Sequence, residues 1–246
     1  MRGSVLILGA TSAVARASAA LLARQGYALI LAGRDTDELQ RLAVDLRIRE
    51  GAQADWEHFD AADPADHPLF FARVLGRTSR LEGVLLAFGS TGDHARAVRE
   101  FAEAERIIRD NFTGVVSILT LCANHLLANG GGFLIALTSV AGVRGRQSNY
   151  LYGAAKGGLD LFLQGLRNRC FAGGVRVITI RPGFLDTAMT HGLPGLFLVA
   201  SPEYAARKIV AALGRPGDIL YVPWFWRPVM LVIRLIPEFL FKRLRL

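Results

Sequence analysis

The sequence predicts one doubly wound α/β domain, with a parallel sheet of about seven strands and helices on both of its faces. Short apolar runs alternate along the chain with longer segments of helical character. The runs are apolar throughout rather than at every second position, which is typical of strands buried on both faces of a parallel sheet. A helical segment follows each strand, and repeated units of this kind favour right-handed crossovers.

Strands are expected at residues 5–8, 28–32, 54–58, 84–88, 133–137, 175–180 and 219–221. Helices are expected between them, near residues 13–25, 36–50, 67–77, 100–128, 151–171 and 202–213. Glycines at 130–132 and 173–174 end two of these helices, because glycine readily adopts the left-handed conformation found just beyond a helix. The α/β domain is therefore expected to span residues 1–222, and residues 223–246 form an apolar, basic C-terminal segment.

The composition indicates a globular protein with a basic surface. The 246 residues are 52% hydrophobic and carry a formal net charge of +8. Such a charge favours nucleic acid or an anionic membrane surface as a partner. We expect the membrane and no nucleic acid, because the first 220 residues contain no arginine- or lysine-rich run interleaved with aromatic residues.

The cysteines and the N-terminal run bear on the compartment. Cys122 and Cys170 lack metal-ligand and redox spacing, so we expect buried thiols in the reducing cytoplasm and no bound metal. The apolar run at residues 5–8 is short and passes directly into Gly9, which favours a strand over a signal peptide. No segment has 18 uninterrupted apolar residues, so no transmembrane helix is expected.

The turn after the first strand has the features of a phosphate-binding turn. Backbone N–H groups and the helix dipole at the start of a helix favour a pyrophosphate. Alanines stand at positions 13 and 15, where such turns commonly carry glycine, so the pattern is loose and an ordinary βα turn is the alternative. The expected cofactor contacts here are Gly9, Thr11, Ser12, Ala13 and Val14.

The end of the second strand favours NADPH over NADH. An acidic residue at this place would bind the ribose 2′-hydroxyl and repel a 2′-phosphate. Gly33 leaves space instead, and Arg34 offers a planar cation suited to phosphate. Asp35 weakens this argument, although it is better explained as the start of the next helix. Asp60, after the third strand, either faces the adenine or caps a turn.

Three residues together have the features of a proton-transfer device for a carbonyl and its alcohol. Tyr152 and Lys156 are four residues apart, which places both side chains on one face of a helix. A phenol, with a pKa near ~10, is a poor acid–base group at neutral pH, and an adjacent ammonium lowers that pKa. Ser139, at the end of a strand, is placed to bond the carbonyl. Each residue alone has an ordinary structural explanation, so the combination carries the argument.

The chain resembles the short-chain dehydrogenase/reductase family from about residue 5 to residue 221. The resemblance rests on the glycine turn, Asn111 within Asn-Phe-Thr-Gly, Ser139, the Tyr152/Lys156 pair and the segment 181–187, all in the family's order and spacing. It implies a Rossmann-type fold and hydride transfer to or from a nicotinamide.

The resemblance also implies a role for each of the matching residues. Tyr152 is then the general acid in reduction, and Lys156 lowers its pKa and binds the nicotinamide ribose. Ser139 orients the carbonyl, and Asn111 holds a water in the proton relay. The nicotinamide pocket is then lined by Pro182, Gly183 and Thr187.

Two details qualify the match. The family's Asn-Asn-Ala-Gly after the fourth strand is replaced by Ala-Phe-Gly-Ser, in which Gly89 alone keeps its backbone role. Within the family the chain is similar to reductases of the decaprenylphosphoryl-2-keto-ribose type, which share the Arg-Gly-Arg-Gln-Ser-Asn-Tyr stretch of residues 144–150. That similarity implies reduction of a 2-keto sugar on a lipid phosphate carrier.

Two segments bear on the substrate independently of family. The loop before Tyr152 carries Arg144, Arg146, Gln147 and Asn149, whose groups suit sugar hydroxyls and phosphate. A solvated basic loop is the alternative, chiefly for Arg144. The apolar segment 189–200 is expected to close over the substrate, which suits an acyl or lipid chain and excludes water.

The C-terminal segment 224–246 combines aromatic and aliphatic residues with five cations and one acid. Two prolines are expected to divide it into short helices that lie on an anionic membrane with their aromatic side down. The chain is also expected to form a homo-oligomer. A subunit interface is the competing explanation of this segment, and the segment can serve both roles.

The sequence thus favours an NADPH-dependent ketoreductase for a lipid-linked keto sugar or similar amphiphile, acting at the cytoplasmic membrane face. A 3-oxoacyl reductase of fatty-acid type is the second candidate, with the basic surface meeting an acidic carrier. A non-catalytic nucleotide-sensing membrane adaptor is the third, although a sensor has no need of Ser139, Tyr152 and Lys156.

Overall fold

The computed structural model describes residues 2–190 and 198–244. Within them, seven strands form one parallel sheet in the order β3-β2-β1-β4-β5-β6-β7, as the apolar runs predict. The order reverses between β1 and β4, which is where open α/β sheets bind their ligands. The strands are β1 Ser4–Leu8, β2 Ala28–Gly33, β3 Ala54–His58, β4 Leu81–Leu86, β5 Gly132–Leu137, β6 Val175–Pro182 and β7 Ile219–Val222.

Helices cover both faces of the sheet, as expected for the predicted fold class. The helices are α1 Ala13–Arg24, α2 Thr36–Glu50, α3 His67–Gly76, α4 His94–Ala97, α5 Phe101–Ile108, α6 Gly114–Ala128, α7 Tyr150–Phe171, α8 Pro202–Ala211, α9 Trp226–Leu235 and α10 Glu238–Phe241. One core cluster joins the sheet to α1, α2 and α8, and a second joins its other face to α3, α6 and α7.

Two predicted elements differ from the structure. The fourth strand covers Leu81–Leu86 rather than 84–88, because its amino end pairs with Ser4 and the chain leaves the sheet before Phe88. The predicted helix at 100–128 is divided by a π-helical turn, Arg109–Thr113. A π turn of this kind often marks a functional site. Sequence periodicity did not reveal the short helix α4.

The helical run Phe101–Ala128 is long and apolar enough, by length and composition, to cross a membrane. Part of its apolar surface is nevertheless enclosed by the sheet and by neighbouring helices. Val115, Ile118, Leu119 and Cys122 are fully buried in the core. We therefore interpret this run as a core helix.

An ion pair fixes α7 to the sheet. The guanidinium of Arg181 donates to both carboxylate oxygens of Asp160, at 2.8 and 2.6 Å, and also to the hydroxyl of Tyr221 at 2.7 Å. Because Arg181 lies on β6 directly before Pro182, and Asp160 lies one turn after Lys156, the pair sets the position of α7 against the carboxyl end of the sheet.

The C-terminal segment forms two short helices, as the prolines predict, and α9 packs onto the domain. Trp226 and Met230 are buried, with Val229 and Ile233 beside them against Val140. The expected aromatic side of the segment therefore does not include Trp226, because its indole covers Gly183.

Arg144 joins the loop before α7 to this tail. Its guanidinium donates to the backbone oxygens of Ile233, Arg234 and Ile236 and to the carboxylate of Glu238 at 2.9 Å. It also stacks on the ring of Phe241. These bonds satisfy carbonyls at the end of α9 that have no intrahelical donor. Both sequence interpretations of Arg144, a phosphate ligand and a solvated charge, are therefore wrong.

Candidate active site

The predicted site residues lie along the carboxyl edge of the sheet. Gly9 follows β1, Gly89 follows β4 and Ser139 follows β5, while Pro182 ends β6. Of these strands, β1 and β4 flank the reversal of strand order, and β5 and β6 follow β4 in the sheet. Parallel strands thus bring together groups that are far apart in sequence.

The turn between β1 and α1 needs glycine at position 9. Gly9 has a φ of +79°, and a Cβ there would lie 2.8 Å from the backbone nitrogen of Phe88. Ser12 caps α1 by accepting from the Ala15 N–H at 3.3 Å. Ala13 is exposed and Ala15 is buried, and both lie in the first turn of α1. The amides of Ala13 and Val14 lie in the first helical turn, where N–H groups lack intrahelical acceptors.

The residues after β2 and β3, where the adenosine of the cofactor is expected, include Arg34, Asp35 and Asp60. Arg34 is exposed directly after β2. Asp35 caps α2 by accepting from the Glu38 N–H at 3.0 Å, so it begins that helix as expected. Asp60 accepts from the Ala62 N–H at 2.9 Å and so caps a turn; its predicted contact with adenine stays a prediction.

Asp110 lies near Arg34 and Asp60. Burial raises the pKa of Asp110, against the opposing effect of Arg106, Arg109 and Arg34. Its Oδ1 is buried and has no hydrogen-bond partner among the described residues. The sequence did not single out this carboxyl group, because nothing in its immediate neighbours marks it.

Lys156 is almost sealed from water. Its side chain is 3% exposed, and its ammonium donates to the carbonyl oxygen of Leu137 at 3.3 Å. Burial lowers the pKa of Lys156 to about 8. An ammonium has three N–H donors, so two remain for other acceptors. A Cβ at Gly89 would lie 3.0 Å from the Lys156 Nζ, so the ammonium adjoins the loop after β4.

Tyr152 and Ser139 meet at the first turn of α7. Burial raises the pKa of Tyr152 to about 12, and hydrogen bonding with the Ser139 hydroxyl lowers it by a smaller amount. The Lys156 Nζ lies 5.9 Å from the Tyr152 ring centre. The pKa of the phenol is therefore not lowered as expected, because burial raises it by more than the Ser139 bond lowers it. The phenol stays protonated at neutral pH.

Small residues allow this meeting. The 3-10 turn Val140–Gly142, capped by Ser139, rests on α7 with backbone against backbone. A Cβ at Gly157 would lie 2.9 Å from the Gly142 oxygen, and one at Gly153 would lie 3.0 Å from the Ala141 oxygen. Larger residues would move Ser139 away from Tyr152.

Asn111 is completely buried in the π turn. Its Nδ2 donates to the oxygens of Ser90 at 2.7 Å and Ile107 at 2.8 Å, and its Oδ1 accepts from the Ser90 N–H at 3.1 Å. A Cβ at Gly89 would lie 2.7 Å from this Oδ1. Both amide hydrogens are thus engaged, so any water that Asn111 holds must donate to an oxygen of this residue.

The loop before Tyr152 is partly ordered by α4. His94 bonds the backbone oxygen of Gln147 at 2.9 Å, and its ring meets that of Tyr150 edge-on. Burial lowers the pKa of Arg146. The Oδ1 of Asn149 is buried without a hydrogen-bond partner among residues 2–190 and 198–244. The side chain of Gln147 is exposed.

The turn after β6 is covered by the tail. A Cβ at Gly183 would lie 1.9 Å from the indole nitrogen of Trp226, and Phe184 meets the same indole edge-on. The Thr187 N–H donates to the Thr190 hydroxyl at 3.2 Å. The apolar spacing of α9 predicts an amphipathic helix, but nothing in the sequence indicates that Trp226 packs against Gly183.

Part of the predicted lid, residues 191–197, lies outside the described residues. On either side of it, Met189, Leu198 and Val199 expose apolar side chains. Ala200 returns to the body of the protein by bonding the Phe184 oxygen at 3.0 Å. Within the described part of the chain, no group of three or more His, Cys, Asp or Glu is arranged to hold a metal ion.

A family model described as short chain dehydrogenase matches residues 4–194. The chain belongs to the short-chain dehydrogenase/reductase family. As a member it is an NAD(P)-dependent oxidoreductase. An uncharacterized oxidoreductase of Mycobacterium tuberculosis is 36% identical over 240 residues, covering 98% of this chain and 96% of the relative. One of Streptomyces coelicolor is 38% identical over 244 residues, covering 98% and 95%.

Solved members of the family share the fold. An alcohol dehydrogenase from the archaeon Thermococcus sibiricus, complexed with 5-hydroxy-NADP, superposes with a TM-score of 0.78 at 25% identity, covering 89% of this chain and 95% of that one. A short-chain dehydrogenase from Sphingobium yanoikuyae in complex with NADPH gives 0.81 at 24% identity, covering 90% and 88%. The second likeness concerns the fold alone.

Gly89→Ala tests how closely this site is packed. The added methyl would lie 2.7 Å from Asn111 Oδ1 and 3.0 Å from Lys156 Nζ, so one of them must move. We expect kcat for ketone reduction to fall at least tenfold, about 1.4 kcal/mol of activation free energy. Steady-state kinetics with matched circular dichroism spectra measure this.

Gly145→Ala is the matched control, because a Cβ there meets nothing within 4 Å. Equal kcat values for the two alanine variants would show that the close packing around Gly89 is not required for turnover.

Proposed function

We propose that the protein is an NADPH-dependent ketoreductase for a lipid-linked keto sugar or a similar amphiphilic ketone, working at the cytoplasmic membrane face. One observation carries the reaction class: a buried ammonium, a buried phenol and a serine hydroxyl stand together beside the carboxyl ends of β4 and β5. Such a group serves proton transfer to a carbonyl oxygen.

The residues divide the work of reduction. A bound nicotinamide supplies the hydride. Tyr152, neutral at physiological pH, donates its phenolic proton to the carbonyl oxygen as charge develops there. The Ser139 hydroxyl, whose oxygen already accepts from the Ala141 N–H at 3.1 Å, donates to the same oxygen and orients it. Lys156 stabilises the phenolate that is left, since an ammonium favours the charged form of a neighbouring acid.

In the proposed mechanism, protons return to Tyr152 from solvent along the side of the site that carries Lys156 and Asn111. The two unused N–H donors of Lys156 suit the hydroxyls of a nicotinamide ribose. Asn111, on the other side of Gly89, offers an oxygen to a relaying water. In this scheme Asn111 also keeps Ser90 in place, so it has a positioning role beside the relay.

The residues present fit NADPH. Gly9, where a Cβ has no room, and the amides of Ala13 and Val14 in the first turn of α1 suit a pyrophosphate. Arg34 offers an exposed guanidinium at the end of β2, and Gly33 puts no carboxylate in the way of a 2′-phosphate. Pro182, Gly183 and Thr187 border the nicotinamide in this proposal.

The substrate class rests on what surrounds Tyr152. The Arg146 guanidinium is partly removed from water. The Oδ1 of Asn149 is a buried acceptor that has no donor among the described residues. Together with Gln147 they suit the hydroxyls and phosphate of a sugar phosphate. Met189, Leu198 and Val199 offer apolar surface to a lipid chain. A 3-oxoacyl substrate would contact this apolar surface, but it has no sugar hydroxyls for Arg146 and Asn149 to bind.

Tyr152→Phe tests the reaction class. We expect NADPH oxidation with a panel of amphiphilic ketones to fall ~100-fold or more, because the proton donor is lost. NADPH affinity, measured by fluorescence titration, should be nearly unchanged. Tyr150→Phe, a more exposed tyrosine on the same helix, is the control. Full turnover by the Tyr152 variant would refute the mechanism, and a wild-type protein that binds NADPH without turnover on any ketone would favour the sensor.

Arg34→Ala tests the cofactor preference. Loss of a charge-assisted bond to the 2′-phosphate should weaken NADPH by about tenfold or more while NADH changes little. Titration with both nucleotides measures this. Arg49→Ala, at an exposed ion pair elsewhere on α2, should change neither affinity. An equal loss for NADPH and NADH would contradict the assignment.

A further inference from the structure

The outer face of α9 and α10 is apolar although it faces solvent. The buried stripe of α9 is Trp226, Val229, Met230 and Ile233, which packs on the domain. The opposite side carries a second set of apolar side chains, all exposed: Trp224, Leu231, Val232, Leu235, Phe239, Leu240 and Leu244. We call this set the outer tail face. A helix that is apolar on both sides is unusual at a protein surface unless something covers it.

Cations border the outer tail face. Arg227, Arg234, Lys242 and Arg243 are exposed beside these apolar residues. Glu238 is the one acid in the sequence after residue 223, and its carboxylate is bound by Arg144 at 2.9 Å. The one carboxylate of the tail, on Glu238, is therefore already paired with Arg144.

The charge decides which occupant suits the face. In a two-fold dimer built on this surface, the same patch would meet its own copy, and the cations of one tail would face those of the other. An anionic lipid surface has the complementary charge, and its acyl region accepts the leucine, valine and phenylalanine side chains.

We propose that the outer tail face docks the protein on an anionic lipid bilayer. Arg144 holds α9 and α10 in one orientation, and Trp226 holds α9 against Gly183, so the outer tail face is fixed relative to the domain. The surface goes beyond the proposed reaction: vesicle binding is measurable without a substrate, so it stands or falls separately from the ketoreductase activity.

The test is sedimentation of the full-length protein with vesicles, either of phosphatidylcholine alone or of equal parts phosphatidylcholine and phosphatidylglycerol. We expect binding to the anionic vesicles, weakening as salt rises because exposed charges are screened. Val232→Glu with Leu235→Glu should abolish it. Arg234→Gln with Lys242→Gln should weaken it about 25-fold, since each cation near an anionic surface is worth roughly fivefold.

Ile48→Glu is the matched control, because Ile48 is 77% exposed on α2, away from the tail. It should bind vesicles as the wild type does, and NADPH titration confirms that every variant is folded. Binding of the Val232/Leu235 variant at wild-type strength, or no binding of the wild type to anionic vesicles, overturns the proposal. If sedimentation velocity shows that this variant dissociates an oligomer while the wild type ignores vesicles, the face joins copies of the chain instead.

Discussion

A nearly water-free ammonium group is the constraint on which the site depends. Removing a charge from water is costly unless polar partners replace the lost hydration. Lys156 has the Leu137 oxygen at the end of β5, and it adjoins Gly89 after β4. The consequence is a lysine whose pKa falls to about 8, beside a phenol whose pKa rises to about 12. In the proposed mechanism the neutral phenol gives up a proton and the ammonium stabilises the anion that forms.

Holding these groups in place takes contacts well outside the site. The Arg181–Asp160 pair ties α7 to β6, and the glycines of α7 let the turn after Ser139 lie directly on that helix. Asn111 ties the loop after β4 to the π turn. Side chains on three elements thus fix a geometry that short loops alone would leave loose, and a loose geometry costs rate even when every residue is present.

The sequence predicted most of the fold and the placement of Tyr152 and Lys156 on one helix face. Continuous apolar runs identified the strands, and the spacing of Tyr152 and Lys156 placed both on one helix face. Local pattern did not predict interactions between distant segments. From its local sequence, Arg144 was expected to bind phosphate, but its guanidinium donates to a backbone carbonyl about ninety residues away. Trp226 lies in a segment with the composition of a membrane anchor, but its indole packs against Gly183. The pKa of Tyr152 was predicted in the wrong direction, because burial depends on the whole fold.

The pH dependence of kcat/KM for ketone reduction tests the central role of Lys156 most directly, since this parameter reports groups of the free enzyme. Lys156 is charged below its pKa of about 8 and loses that charge as pH rises, whereas Tyr152 keeps its proton. We predict that kcat/KM falls above about pH 8. In Lys156→Arg, where the cation persists up to about pH 12, the fall should move to higher pH. A profile that stays flat past about pH 10, or a fall at the same pH in the arginine variant, would contradict the account.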